Sequence, residues 1–178
     1  HAPGFRWLHE SFGTNWRMTE MQAAIGRLQL QKLDKWIEIR RANAQGFEVS
    51  KGGVEALRVG PADIYHSYYK YYMFVRPEML KPDWSRDRIM EEVNAAGIPC
   101  YSGSCSEIYL EKAFDVFRGM DSRLRGNDEG VPGPENRLPV AKELGETSLM
   151  LLVHPTLTGE NIEDTIRVVK EVVARAVR

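Results

Sequence analysis

The chain has only two cysteines, Cys100 and Cys105, in 178 residues. That is too few for a disulfide framework and fits a reducing cytoplasm. No apolar run approaches the length of a membrane span; the longest, 149–153, is the size of a strand. Neither sign of charge dominates. Lys and Arg number 24 against 25 Asp and Glu, and a net charge of −1 gives no electrostatic case for nucleic acid or an anionic membrane as partner. Internal repeats are missing. Lys51-Gly52-Gly53 follows no strand and lacks P-loop spacing, so it reads as a turn. The two cysteines sit without a nearby histidine or third thiol, which is poor metal-ligand spacing, so no metal is expected. What remains is 43% hydrophobic and 28% charged, ordinary for one globular domain able to bury a core.

Residues 13–40 organise the rest. They begin as a loop and become a long helix, with Thr19 as cap, Gln22 three residues on to complete a capping box, and Glu20 at the positive end of the dipole. Met18, Met21, Ile25 and Leu28 follow helical spacing as one apolar stripe. Leu30, Leu33 and Ile37 form a second stripe turned away from the first. Such a helix is either a core helix or one that bridges its own domain and a partner. In the loop before it, Asn15 and Arg17 flank Trp16 where free backbone N–H groups favour an anion. The plainer reading is that both side chains face water.

Further along, 67–75 reads as an aromatic strand, with Tyr69, Tyr71, Met73 and Val75 on one face and Tyr68, Lys70, Tyr72 and Phe74 on the other. One lysine among those rings makes a poor groove for single-stranded nucleic acid, and a sheet core is the better account. A helix is expected over 83–96, with Ser85 as cap, Ile89, Met90 and Val93 inward, and Gly97 with Ile98 as a Schellman-like stop. Strands are expected at 98–101 and 148–153, the latter apolar on both faces as a central strand is. A short helix over 138–144 with Gly145 at its end lies between them. His154 closes the last strand and reads as a structural hydrogen bonder. Thr158 caps a final helix with Ile162, Ile166, Val169, Val173 and Val177 inward. The alternation of strands and helices predicts an α/β sandwich, with helices covering one sheet.

The loop 102–109 is chemically dense. Ser102, Ser104, Cys105, Ser106, Glu107 and Tyr109 put hydroxyls, a thiol, a carboxylate and a phenol at a strand end. A nucleophilic cysteine would need a histidine base, and none is identifiable by spacing, so a hydrogen-bonded turn is the plainer reading.

The run Gly13-x-Asn15-Trp16-Arg17-Met18-Thr19-Glu20-Met21-Gln22-Ala23-Ala24-Ile25-Gly26, continued by Leu33-Asp34-x-Trp36-Ile37, resembles the signature of the DegT/StrS family of pyridoxal-phosphate-dependent sugar aminotransferases. Stretches 69–75, 97–114 and 138–158 fit the same family in the same order. The resemblance implies the small C-terminal domain of a fold type I aminotransferase preceded by a long linking helix. Residues 1–45 would be the connection and interface helix, and 46–178 the α/β domain. It implies a cytoplasmic homodimer formed through the helix region. Asn15 would reach across that interface to the cofactor phosphate of the other subunit, with Arg17 beside it. The loop after 98–101 would take part in substrate selection, which makes Tyr101, Ser102, Ser104 and Tyr109 substrate-side candidates.

Family members are longer, and their Schiff-base lysine and the aspartate for the pyridine nitrogen lie upstream of this stretch. Neither setting occurs here, and the chain begins at His1, so it reads as the C-terminal part of such an enzyme. That fragment would be inactive alone and would not hold pyridoxal phosphate by itself. The whole enzyme would aminate a nucleotide-linked keto sugar, with glutamate as donor, in amino-sugar or cell-surface polysaccharide synthesis. Two rivals remain: a sugar dehydratase relative, and a non-catalytic interaction module of the same fold. The stretch 118–135 departs from the family, being dense in Gly, Asp, Asn and Pro without apolar periodicity, and a mobile surface loop is expected. Met120-Asp121-Ser122-Arg123-Leu124-Arg125-Gly126-Asn127-Asp128 resembles the translated product of a dispersed bacterial DNA repeat. We take it as an in-frame insertion that the loop tolerates, since each doubling of loop length costs only about 0.6 kcal/mol. Deleting 119–133 should then leave the melting temperature nearly unchanged.

Overall fold

The computed structural model describes residues 11–13, 16–49, 57–58, 63, 66–103, 105–115 and 132–178. The turn read at Lys51–Gly53, the candidates Asn15 and Ser104, and most of the 118–135 stretch lie outside them.

Four strands form one antiparallel sheet in the order β1-β2-β4-β3, with β1 at Leu57–Arg58, β2 at Tyr71–Val75, β3 at Cys100–Ser102 and β4 at Ser148–Leu151. The inner strands are β2 and β4, and β4 is paired to β2 through Met73↔Leu149 and to β3 through Ser102↔Leu149. All four residues of β4 are buried, as in a strand covered on both faces. On β2 burial alternates, with Tyr71, Met73 and Val75 inside. The strand begins later than its sequence reads. Tyr68 sits at φ 48, a left-handed conformation that no strand residue adopts, so Tyr69 is left exposed.

One face of the sheet carries the helices. Helix α3 (Arg86–Ala95) opens on Ser85, whose hydroxyl accepts from the Arg88 N–H, and closes on Gly97 at φ 87 with Ile98 N–H donating back to Val93 O. That is the expected Schellman stop, and only glycine holds this φ without strain. Helix α5 (Gly159–Ala176) begins with a capping box between Thr158 and Asn161 and buries Ile162, Val168, Val169, Val172, Val173 and Ala176. Its buried face is wider than the sequence stripe because α3 packs on one side and α2 (Leu33–Val49) on the other. These side chains join Tyr71, Met73, Val75, Cys100, Leu149 and Leu151 in one apolar cluster. Arg86 is buried as well. Its guanidinium donates to Ser148 O at 2.8 Å and to Asp87 Oδ1 at 2.7 Å, so the buried charge is hydrogen-bonded. A further helix, α4 (Pro139–Thr147), runs through Gly145 instead of ending there.

The long first helix is two helices. Helix α1 (Glu20–Leu30) has the expected Thr19–Gln22 capping box, but the chain tightens at Gln31–Lys32, where Lys32 N–H reaches back three residues to Gln29 O. The interruption falls where the first apolar stripe gives way to the second. The core-helix expectation fails for α1, which buries no residue: Met21 is 77% exposed and Ile25 58%. Burial starts only in the second half of α2, at Ala44 and Phe47.

Candidate active site

Two sequence-distant stretches carry the candidate residues, and one ring contact links them. Phe12 packs edge-on against Phe114 with centroids 5.2 Å apart, so the segment leading toward Asn15 and Arg17 lies against the end of the segment that follows the 102–109 loop. Arg17 is exposed, next to Trp16, just ahead of the Thr19 cap. A guanidinium at that place is a suitable donor for a phosphate.

The loop leaves β3 at Ser102. Strand alternation turns Cys100 and Ser102 to the helix-covered face, where both are buried, and Tyr101 to the opposite face, where it is 43% exposed. There Tyr101 pairs with Met150, which pairs with Tyr72, so the three form a row across the sheet. Gly103 follows with no room for a side chain. A Cβ there would lie 2.2 Å from the Ser148 Oγ, so any other residue would push the loop off the strand.

Beyond Gly103 the loop is held by polar contacts. Glu107 is only 4% exposed and takes a bidentate fork from Arg137: Nε donates to Oε1 at 2.7 Å and Nη2 donates to Oε2. The same Nη2 lies 3.0 Å from Glu146 Oε1 on α4. Tyr109, 9% exposed, donates its hydroxyl to Glu107 Oε1 at 2.8 Å and accepts from the Leu138 N–H at 2.9 Å. Ser106 Oγ donates to Ala141 O at 2.6 Å. The Arg137 guanidinium and the Tyr109 hydroxyl hold the Glu107 carboxyl below the usual carboxylate range, against the opposing pull of burial. Burial and the adjacent carboxylate together raise the Tyr109 phenol. Sequence reading named Tyr109 as a candidate and Glu107 only as one member of the polar loop, and it missed Arg137, which lies thirty residues on and shares no spacing signal with Glu107.

Cys100 is 2% exposed, and burial pushes its thiol up to about 12, so it is not a nucleophile near neutral pH. Cys105 is half-buried in the loop. His154 takes the structural role read for it: its Nδ1 lies 2.8 Å from Thr156 Oγ1, and its carbonyl accepts from Asn43 Nδ2 at 3.3 Å. Among the described residues no group of three or more His, Cys, Asp or Glu could hold a metal ion, and no helix is long and apolar enough to cross a membrane.

The sequence model of the DegT/DnrJ/EryC1/StrS aminotransferase family matches residues 2–172. The dTDP-3-amino-3,4,6-trideoxy-alpha-D-glucose transaminase of Streptomyces venezuelae is 27% identical over 167 residues, 93% of this chain and 38% of that protein. The crystal structure of an aminotransferase from Psychrobacter cryohalolentis aligns with a TM-score of 0.74 at 52% identity, over 98% of this chain and 43% of that one. The Escherichia coli GDP-4-keto-6-deoxy-D-mannose-3-dehydratase with bound hydrated PLP aligns at 0.65 and 25% identity, over 88% and 36%. The chain thus spans about two-fifths of the length of the relatives it matches.

Proposed function

This chain belongs to the DegT/DnrJ/EryC1/StrS aminotransferase family, and from that premise we propose that it is the C-terminal part of a pyridoxal-phosphate-dependent aminotransferase. The complete enzyme transfers an amino group, with glutamate as donor, to a keto sugar carried on a nucleotide, in the cytoplasm. The observation that carries the reading is the 52% identity with the Psychrobacter aminotransferase across 98% of the chain. The Streptomyces transaminase, whose name specifies a dTDP-sugar, supports the substrate class.

In this reading the cofactor, when bound, supplies the electron sink for carbanion chemistry. The lysine that carries it belongs to the part of the enzyme outside this chain. What this chain adds is binding and placement. Asn15 and the exposed guanidinium of Arg17, just ahead of a capped helix start, are donor types that suit the cofactor phosphate, and a homodimer offers them across its interface. Tyr101, Ser102, Ser104 and Tyr109 form the substrate-side wall, Tyr101 by direct exposure and the buried Ser102 and Tyr109 through the loop they anchor.

The test is to incubate the complete enzyme with glutamate and a nucleotide-linked keto sugar. An amino sugar and 2-oxoglutarate are expected; absence of both from every keto sugar tried would overturn the reading. A dehydratase reading has its own support in the aligned dehydratase, and a deoxygenated sugar as product would establish it. Asn15→Ala should release the cofactor on dialysis about tenfold more readily, as expected for one lost hydrogen bond to a charged group, with little change in melting temperature. Unchanged retention would remove Asn15 from the phosphate site.

A further inference from the structure

We propose that Glu107, Tyr109 and Arg137 are positioning residues of the substrate cleft. They clamp the loop that follows β3 to the start of α4 and thereby fix the course of that loop beside the exposed Tyr101, on the side where the keto sugar is met. The inference rests on the functional reading above and assigns the geometry of its sugar side to three residues that need not touch the sugar.

The Tyr109 hydroxyl is already committed, since it donates to Glu107 and accepts from the Leu138 N–H. A sugar hydroxyl would have to displace one of two good bonds to use it. Arg137 is committed in the same way, with two donors on Glu107 and one shared with Glu146. Both therefore act through the loop. At this end Ser106 Oγ joins the lock by donating to Ala141 O, whereas Ile108, the loop's large apolar side chain, is 61% exposed. Its other end is tied to β4 by the Ser102↔Leu149 pairing and by Gly103 N–H donating to Ser148 O. The segment around Cys105 thus spans two anchors, one of sheet hydrogen bonds and one of ion pair and phenol.

A buried carboxylate held by a fork and a phenol is an expensive way to fasten a loop. An apolar side chain in the same place would cost less desolvation. What the polar arrangement gives is direction, because a bidentate fork fixes distance and angle where apolar contact fixes neither. The lock also closes on Arg137 and Leu138, the residues at which the chain returns after the 118–135 stretch. The position of the loop is then set by residues 107, 109 and 137, whatever the length of the connection between them.

The experiment uses the complete enzyme with Glu107→Gln and, as the milder change, Arg137→Lys, which keeps the charge but loses the fork. Two readouts are taken. The first is the rate at which iodoacetamide alkylates Cys105, followed by mass spectrometry of its peptide, with buried Cys100 as internal control. The second is the split between KM and kcat for the keto sugar. Cys105 labelling and KM should each rise about tenfold, the scale of losing one charge-assisted hydrogen bond, with kcat within about twofold. A purely structural pair would lower the melting temperature and leave both readouts in place, which overturns the proposal. Faster labelling with an unchanged KM overturns the link to substrate. If the wild-type enzyme aminates no keto sugar, the functional reading falls, and the labelling rates still decide whether the lock exists.

Discussion

Glu107 shows how a single buried carboxylate couples pH to structure. Its folded pKa lies below the ordinary 4.5, mainly through the Arg137 fork. A depressed carboxyl contributes stability that is complete above its ordinary value and is lost as pH falls through the folded value. Wild type should therefore exceed Glu107→Gln in melting temperature by a constant margin near neutrality, and the margin should shrink as acidification passes below the ordinary carboxylate value of 4.5. A margin that does not change with pH would mean that the carboxylate charge is not what the site uses. At this scale the sequence was partly legible. Tyr109 and the polar loop stood out by composition, and the plainer reading of a hydrogen-bonded turn describes what Tyr109, Glu107 and Ser106 do. Their partners Arg137, Leu138 and Ala141 could not be read, because nothing local in a sequence ties residues thirty positions apart.

The same device serves two helices with different consequences. Thr19 and Thr158 both form complete capping boxes. Helix α5 is anchored by six buried side chains, so fraying its first turn is felt by the whole core. Helix α1 has no buried residue within the chain, so fraying it stays local. Thr158→Ala should cost about 1 kcal/mol of global stability in a denaturant titration. Thr19→Ala should leave that transition in place and lower helix content alone. Equal shifts for both would show that α1 folds as one unit with the domain. The caps at Ser85 and Thr158 and the stop at Gly97 were legible because each acts on backbone groups within one turn, whereas the break at Gln31–Lys32 and the continuation through Gly145 were not. Strand starts were less so: Tyr68 at φ 48 delays β2 to Tyr71, and β3 begins two residues later than 98–101 implies.

On the scale of the whole molecule, the exposed row of Met18, Met21, Ile25 and Leu28 calls for a cover that the described residues do not supply. The homodimer proposed above supplies it with a second copy of the same helix region. Ile25→Glu in the complete enzyme should shift sedimentation from dimer toward monomer while the intrachain unfolding transition stays within about 0.5 kcal/mol, as for an exposed site. A dimer that survives both Ile25→Glu and Met21→Glu would place the interface elsewhere. The connection at 118–135 belongs to this scale too. Gly133 is buried, and its N–H donates to Asn136 Oδ1 at 2.6 Å, so a deletion meant to spare the fold should stop at residue 131.

The sequence by itself determined the caps at Thr19, Ser85 and Thr158, the inner apolar strand, the inward faces of β2 and α3, and membership of a family whose signature lies in 13–40. All of these are written in local periodicity or in contiguous residues. Only the tertiary structure decided that α1 lies uncovered, that the sheet is wholly antiparallel in the order β1-β2-β4-β3, and that Glu107 meets Arg137. Periodicity says that a face is apolar but not what covers it. Likewise a carboxylate and a guanidinium thirty residues apart become partners only when β3 and α4 bring them within hydrogen-bonding distance.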